Sequence, residues 1–154
     1  MRISLAQEEY YRWWWAERQD VDYMPGHGVV ISILNDDGTP AAVALFTDYN
    51  AANINIHISS EPGKRWCTRE FLWYCFRYPF VELGVKRLTG IVPSSNAKAR
   101  KFDENLGFTL EATLKDAHPE GDLLVYVMTK DTCKWLTLKD RKDGTRKIQG
   151  TSST

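Results

Sequence analysis

No apolar run in the 154 residues approaches the roughly 18 needed to cross a bilayer as a helix, and the N-terminus lacks the basic-then-apolar order of a secretory leader. The expectation is a cytoplasmic protein that makes no use of a membrane. Cysteine is scarce too. Cys67, Cys75 and Cys133 are odd in number and show neither C-x-x-C nor Cys/His spacing, which argues against a disulfide framework and against a metal site. They read as buried free thiols. Internal repeats are lacking, and so is net charge, which is formally zero. That balance argues against a dedicated nucleic-acid binder, although Arg and Lys interleaved with Trp and Tyr between Lys64 and Tyr78 keep a single-strand-binding accessory protein among the readings.

What the chain does have is 43% hydrophobic and 12% aromatic residues, enough for one compact core and too few residues for two ordinary domains. Residues 1–136 are expected to form that single domain, with 137–154 a polar, basic, disordered tail. The neutral total hides a division. Residues 1–62 hold three Lys/Arg against nine Asp/Glu, and residues 63–154 hold seventeen against eleven. An acidic first half favours a cationic substrate and a basic second half a phosphate-bearing ligand; the alternative is that the tail's excess merely keeps it solvated.

The hydrophobic pattern predicts alternating elements. Ser4 with Gln7 forms a capping-box pattern, so residues 4–18 are expected to be a helix, with more aromatics (Tyr10, Tyr11, Trp13, Trp14, Trp15) than one buried stripe can hold. Residues 29–34 and 41–46 flank the turn Asn35-Asp36-Asp37-Gly38 and read as an antiparallel hairpin. In the next strand Ile54, Ile56 and Ile58 alternate with Asn53, Asn55 and His57. Residues 68–83 have helical spacing, which Pro79 should kink or cut short. Residues 87–92 are expected as a strand, 96–106 as a helix stopped by Gly107, and 108–114 and 123–129 as strands joined by a loop.

One stretch carries chemistry. Between the alternating strand and the helix lies Pro62-Gly63-Lys64-Arg65-Trp66-Cys67-Thr68-Arg69. A loop entering a helix N-terminus presents unpaired backbone N–H groups and partial positive charge, and Lys64, Arg65 and Arg69 add full charges, so the loop suits phosphate oxygens. Basic residues before a helix are also common without any ligand. Asn96, just ahead of the later helix, is among the best N-caps.

The run Phe80-Val81-Glu82-Leu83-Gly84-Val85-Lys86-Arg87-Leu88, then Asn96-x-x-Ala99, Leu106-Gly107-Phe108 and Asp122-x-x-x-Tyr126-x-Met128 resembles the GCN5-related N-acetyltransferases, the GNAT superfamily. Within it the pattern resembles the branch that acetylates ribosomal-protein N-termini. Its compact size and altered loop are also similar in style to GNAT-like proteins carried by bacteriophages. The resemblance covers about residues 28–130. It implies an α/β (α+β) GNAT fold: a mixed, mostly antiparallel twisted sheet with helices on both faces and central strands that splay apart. It implies acetyl-CoA as cofactor, with Ile56, His57 and Ile58 offering strand backbone to the pantetheine arm, residues Lys64, Arg65, Trp66, Cys67, Thr68 and Arg69 around the pyrophosphate, and Asn96 with Ala99 beside the arm. It implies direct transfer of acetyl to a primary amine in a ternary complex, the acceptor being a protein N-terminus, a lysine or a small amine.

The sequence departs from the family's loop pattern Gln/Arg-x-x-Gly-x-Gly/Ala. Pro62 stands in the first slot, Arg65 where the first Gly is expected, and the small Cys67 in the last. Cys67, near a helix N-terminus among cations, is open to a lowered thiol pKa but reads as a slot filler. The family's frequent acid, a Tyr seven residues after the Asn, is Asp103 here. Amine acylation needs a neutral amine, a polarised carbonyl and a stabilised leaving thiolate. His57 is the first candidate base and Asp103 stands in the acid slot; Glu61 and Glu111 are weaker candidates, and His118 lies in a loop within reach of the substrate mouth. The rival reading is a GNAT-fold interaction protein without catalysis, binding a host or partner protein.

Overall fold

The computed structural model describes residues 1–137. In chain order these form β1 (Arg2–Ser4), α1 (Glu9–Gln19), β2 (Val29–Leu34), β3 (Pro40–Thr47), β4 (Asn53–Ser60), α2 (Arg69–Arg77), β5 (Arg87–Pro93), α3 (Ala97–Leu106), β6 (Thr109–His118) and β7 (Gly121–Thr129). The seven strands make one sheet in the order β1-β2-β3-β4-β5-β7-β6, antiparallel throughout except for the central β4–β5 pair. The basic tail expected from residue 137 falls, past its first residue, outside the described residues.

The hairpin of β2 and β3 forms where the turn chemistry places it. Asn35 N–H donates to Thr39 O at 2.8 Å, and the Asp37 carboxylate accepts from both the backbone and the hydroxyl of Thr39. The N-terminal helix starts later than expected. Ser4 belongs to β1, paired with Ser32, and Gln7 completes the edge: its side-chain amide donates to Val30 O at 2.8 Å and accepts from Val30 N–H at 2.9 Å. A side chain that substitutes for a further strand residue wins over the capping box, so α1 begins only at Glu9.

Pro79 acts as the sequence suggests. α2 stops at Arg77 and a single π-helical turn, Tyr78–Glu82, follows, closed by Leu83 N–H to Tyr78 O at 3.0 Å. The C-terminal hairpin is longer than expected. β6 and β7 run through most of the polar segment read as a loop and turn only at Pro119-Glu120, with Asp116 N–H held by the Asp122 carboxylate at 2.9 Å. Polarity there reflects solvent on both sides of β6, almost every residue of which is exposed.

Two apolar layers sandwich the sheet. α2 drives Phe71, Leu72 and Phe76, all at most 2% exposed, onto Ile31, Ile33 and Phe46, while Ala42 and Ala44 leave room for the helix to approach. Each such buried side chain contributes about 2 kcal/mol of hydrophobic stabilisation. On the opposite face Tyr11 and Trp14 of α1 cover Val30, Leu34, Val43 and Leu45. The surplus aromatics divide as their number requires: Tyr10 and Trp13 stack on each other at the surface, and Trp15 reaches β4. α1 packs chiefly on β2, β3 and β4.

The β4–β5 pairing is short. It comprises Asn53 with Arg87, Ile54 with Leu88 and Asn55 with Thr89, after which both strands continue, to Ser60 and Pro93, without pairing to each other. This opens the sheet at its centre.

Candidate active site

The opening holds a cavity of about 150 Å³. Ile56, His57 and Ile58 form its β4 wall; Asn96, Ala99 and Asp103, also singled out in the sequence, form the α3 side, with Phe102 below them and Gly90 on β5. Asn96 caps α3, its Oδ1 accepting Ala99 N–H at 3.0 Å. Gly107 ends the same helix in the left-handed region, at φ 113°. These two caps fix where Asp103 stands along the helix.

Asp103 faces the backbone of β5. A Cβ placed on Gly90 would lie 3.3 Å from Asp103 Oδ2, so the absence of a side chain at residue 90 gives the carboxyl its place. Burial raises its pKa from 3.8 to about 7, and the neighbouring Glu104 charge adds to the effect. Near neutrality the carboxyl is therefore divided between protonated and ionised forms, able to give or take a proton.

His57 points to the other face. It pairs with Leu45 across β3 and shares the α1 side of the sheet with Asn55 and Thr47. Its ring meets Trp15 edge-on, with centroids 5.9 Å apart, and the Trp15 indole N–H donates to His57 O at 3.1 Å. Nε2 lies 3.5 Å from Thr47 Oγ1, the outer limit of a hydrogen bond; Thr47 in turn donates to Asp48 Oδ2 at 2.9 Å. Burial lowers the His57 pKa, His27 adding to the fall and Asp48 opposing it. The imidazole is thus mainly neutral at pH 7 and has a lone pair to offer.

A second cavity, about 340 Å³, lies on this α1 face, with Trp15, Asp22, Thr47 and Asp48 in its walls. Among the described residues, His57 is the one that lines both cavities.

The basic loop stands at the N-terminus of α2 and outside the lining of the central cavity. Thr68 caps the helix, its Oγ1 accepting Phe71 N–H at 3.1 Å. Lys64, Arg65, Cys67 and Arg69 are exposed, and Arg65 and Arg69 make no side-chain hydrogen bond or ion pair among the described residues. Trp66 turns inward, its ring 6.0 Å from Phe71 and 5.4 Å from Phe102, and so connects the loop to a residue of the cavity wall. The expectation of a buried thiol is corrected for Cys67. It is exposed where Cys75 and Cys133 are buried, and partial desolvation raises its thiol pKa rather than lowering it.

The remaining candidates lie apart from both cavities. Glu61 is held by Arg18 at 2.6 Å, Glu111 by a two-pronged pair with Arg87 at 2.8 and 3.1 Å, and His118 sits at the tip of the β6–β7 hairpin with Nδ1 accepting Glu120 N–H. Residues that the sequence reading did not single out include Thr47, Asp48, Gln19 and Gly90. Asp48 carried a signal only in retrospect: it leaves a strand into a turn with φ 60°, a conformation that Asp tolerates better than most residues. Gln19 and Trp15 are brought to β4 by helix packing, where Gln19 Nε2 donates to Ile58 O at 3.3 Å.

No family model matches the sequence, and no curated protein matches it. Solved structures do match. A chimera of the Vibrio cholerae spermidine N-acetyltransferase superposes with a TM-score of 0.68 over 88% of this chain and 99% of its own, at 12% identity. The spermidine N-acetyltransferase of Vibrio cholerae in complex with CoA and spermine gives 0.60 over 70% and 68%, at 16% identity. An acetyltransferase of the GNAT family from Bacillus anthracis gives 0.56 over 66% of each chain, at 15% identity. At these identities what is shared is the architecture: a mixed seven-stranded sheet, opened between its parallel central strands, with helices on both faces, which is the GNAT fold.

Proposed function

We propose that this protein is an acetyl-CoA-dependent N-acetyltransferase acting on a primary amine, a protein N-terminus, a lysine or a small molecule, by direct transfer in a ternary complex. The observation that carries the reading is the opening between β4 and β5, bordered by a neutral histidine on one strand and a carboxyl of pKa about 7 on the facing helix. Solved structures of the same fold supply the chemical context, one of them holding CoA and spermine.

The residues fit such a cofactor. Beyond Asn55 the β4 backbone has no β5 partner; Trp15 and Gln19 take the carbonyls of His57 and Ile58, the remaining groups on that edge suit the amides of a pantetheine arm, and the exposed cations Arg65 and Arg69 beside the α2 N-terminus suit a pyrophosphate. Ile56, His57, Ile58, Asn96 and Ala99 would hold the arm; Lys64 to Arg69 would hold the phosphates, with side-chain charge from Arg65 replacing the close backbone approach that a glycine permits. Acetyl-CoA supplies a thioester as the acyl donor. His57 takes a proton from the acceptor amine, and Asp103 holds a proton at the opposite wall, where negative charge develops on a leaving group. On Asn96-x-x-Ala99 and Leu106-Gly107-Phe108 we place the chain near the branch that acetylates ribosomal-protein N-termini.

Calorimetric titration with acetyl-CoA tests the reading. Binding is expected, with affinity reduced about tenfold in Arg65→Ala and in Arg69→Ala, as for loss of a charge-assisted contact. No binding at millimolar acetyl-CoA would dismiss the enzyme in favour of a GNAT-fold interaction protein.

A further inference from the structure

The α1-face cavity is enclosed by α1, by the connection leading into β2 and by the adjoining ends of β3 and β4. Its charged groups are Arg12, Asp22, Asp48, His27 and His57. The one guanidinium among them is occupied elsewhere. Arg12 is 8% exposed and donates to Gln7 O, His27 O and Gly28 O, and its charge is met by Glu9 Oε2 at 3.1 Å. The two carboxylates are not so occupied. Asp22 makes no side-chain hydrogen bond or ion pair among the described residues, and Asp48 engages Thr47 and Asn55 through Oδ2 alone. What the cavity offers a ligand is therefore negative charge, an indole wall from Trp15 and, at the boundary with the central opening, His57.

We propose that this cavity receives the acceptor, and that the acceptor is a compact amine carrying a second positive charge, its distal ammonium recognised by Asp22 and Asp48 while the nitrogen to be acylated lies against His57. A cavity of about 340 Å³, at the small end of ligand pockets, has room for a small diamine. The aromatic wall adds to the preference, because an ammonium is attracted to an indole face. In the reaction the bound ammonium gives one proton to His57 and, as the carbon–nitrogen bond forms and the carbon–sulfur bond breaks, a second to Asp103, whose own proton goes to the departing sulfur, so the products are the amide and a thiol. The chemistry rests on the acetyltransferase reading, whereas the binding of the amine does not.

The test is calorimetry on the full chain without acetyl-CoA, comparing 1,4-diaminobutane with butylamine. The diamine is expected to bind at least about tenfold more tightly, equivalent to about 1.4 kcal/mol. The double variant Asp22→Asn, Asp48→Asn is expected to bring the two amines within about twofold, with its thermal transition confirming a folded protein, while Glu120→Gln at the tip of the β6–β7 hairpin leaves the difference intact. Equal affinities for the two amines, no heat from either, or a preference that survives the double variant would each overturn the proposal. None of these results depends on the acyl donor. Diamine binding together with absent acetyl-CoA binding would instead overturn the enzyme reading and leave the cation site standing.

Discussion

Asp103→Asn should stabilise the protein at alkaline pH and change little in acid. The carboxyl ordinarily titrates at 3.8 and in the fold at about 7, because burial penalises its charged form. Between those values the folded state binds a proton that the unfolded chain has released, so stability falls as pH rises through the window and levels off above it. At 1.36 kcal/mol per pH unit, the distance sets a ceiling of about 4 kcal/mol. The side chain keeps some contact with the cavity, which brings the expected effect to about 2 kcal/mol. Asn has nearly the same shape and no charge to desolvate. Urea unfolding of both proteins at pH 5 and pH 8 should therefore show a variant advantage at pH 8 that is less than half as large at pH 5, where the unfolded carboxyl has already lost its proton. Equal differences at the two pH values would refute the assignment of a desolvated carboxyl at the cavity wall. The same variant should also slow acetyl transfer if the proton on Asp103 is used.

Three further outcomes follow from the geometry. The rate constant kcat/KM for amine acetylation should rise with pH through a midpoint below 6.5, because burial and His27 together outweigh Asp48 in setting the His57 ionisation, and His57→Gln should lower it about a hundredfold and flatten that limb of the profile. Gly28→Ala should cost about 3 kcal/mol in denaturant unfolding, since φ is 76° and the new Cβ would lie 2.6 Å from Phe46 O. Thr68→Ala should lose about 1 kcal/mol of stability through the uncapped α2, and Thr68→Ser should restore it, as read by thermal unfolding.

Much of the architecture was legible because local chemistry and tertiary packing agree. The alternation from Asn53 to Ile58, the turn Asn35 to Gly38, the cap at Asn96 and the stop at Gly107 each impose a conformation that the sheet then uses. The failures occur where a distant partner decides. Gln7 has a capping signature but finds Val30 across the sheet, and Lys115 to His118 look like a loop but extend a strand because β7 is there to pair. The site divides in the same way. His57, Asp103 and Asn96 could be named from one strand and one helix, yet that His57 and Asp103 belong to opposite faces of the sheet follows from pleat and register. Asp48, Trp15 and Gln19 become neighbours of β4 only through packing that no local pattern encodes. Cys67, read as a small slot filler, has a thiol pKa that partial desolvation raises, which agrees with that reading over a reactive thiolate.

The interrupted pairing of β4 and β5 makes the sheet two leaves joined along a short seam. β1 to β4 form one leaf and β5, β7 and β6 the other, with three residue pairs between them and α2 packed beneath. An extended ligand with amides of its own would act as an added rung, tying the leaves through the groups that the strands leave unmatched. Its arrival would then register less as movement than as stiffening. Amide hydrogen exchange should slow on both lips of the seam at once, although the lips belong to segments separated in the chain by the whole of α2.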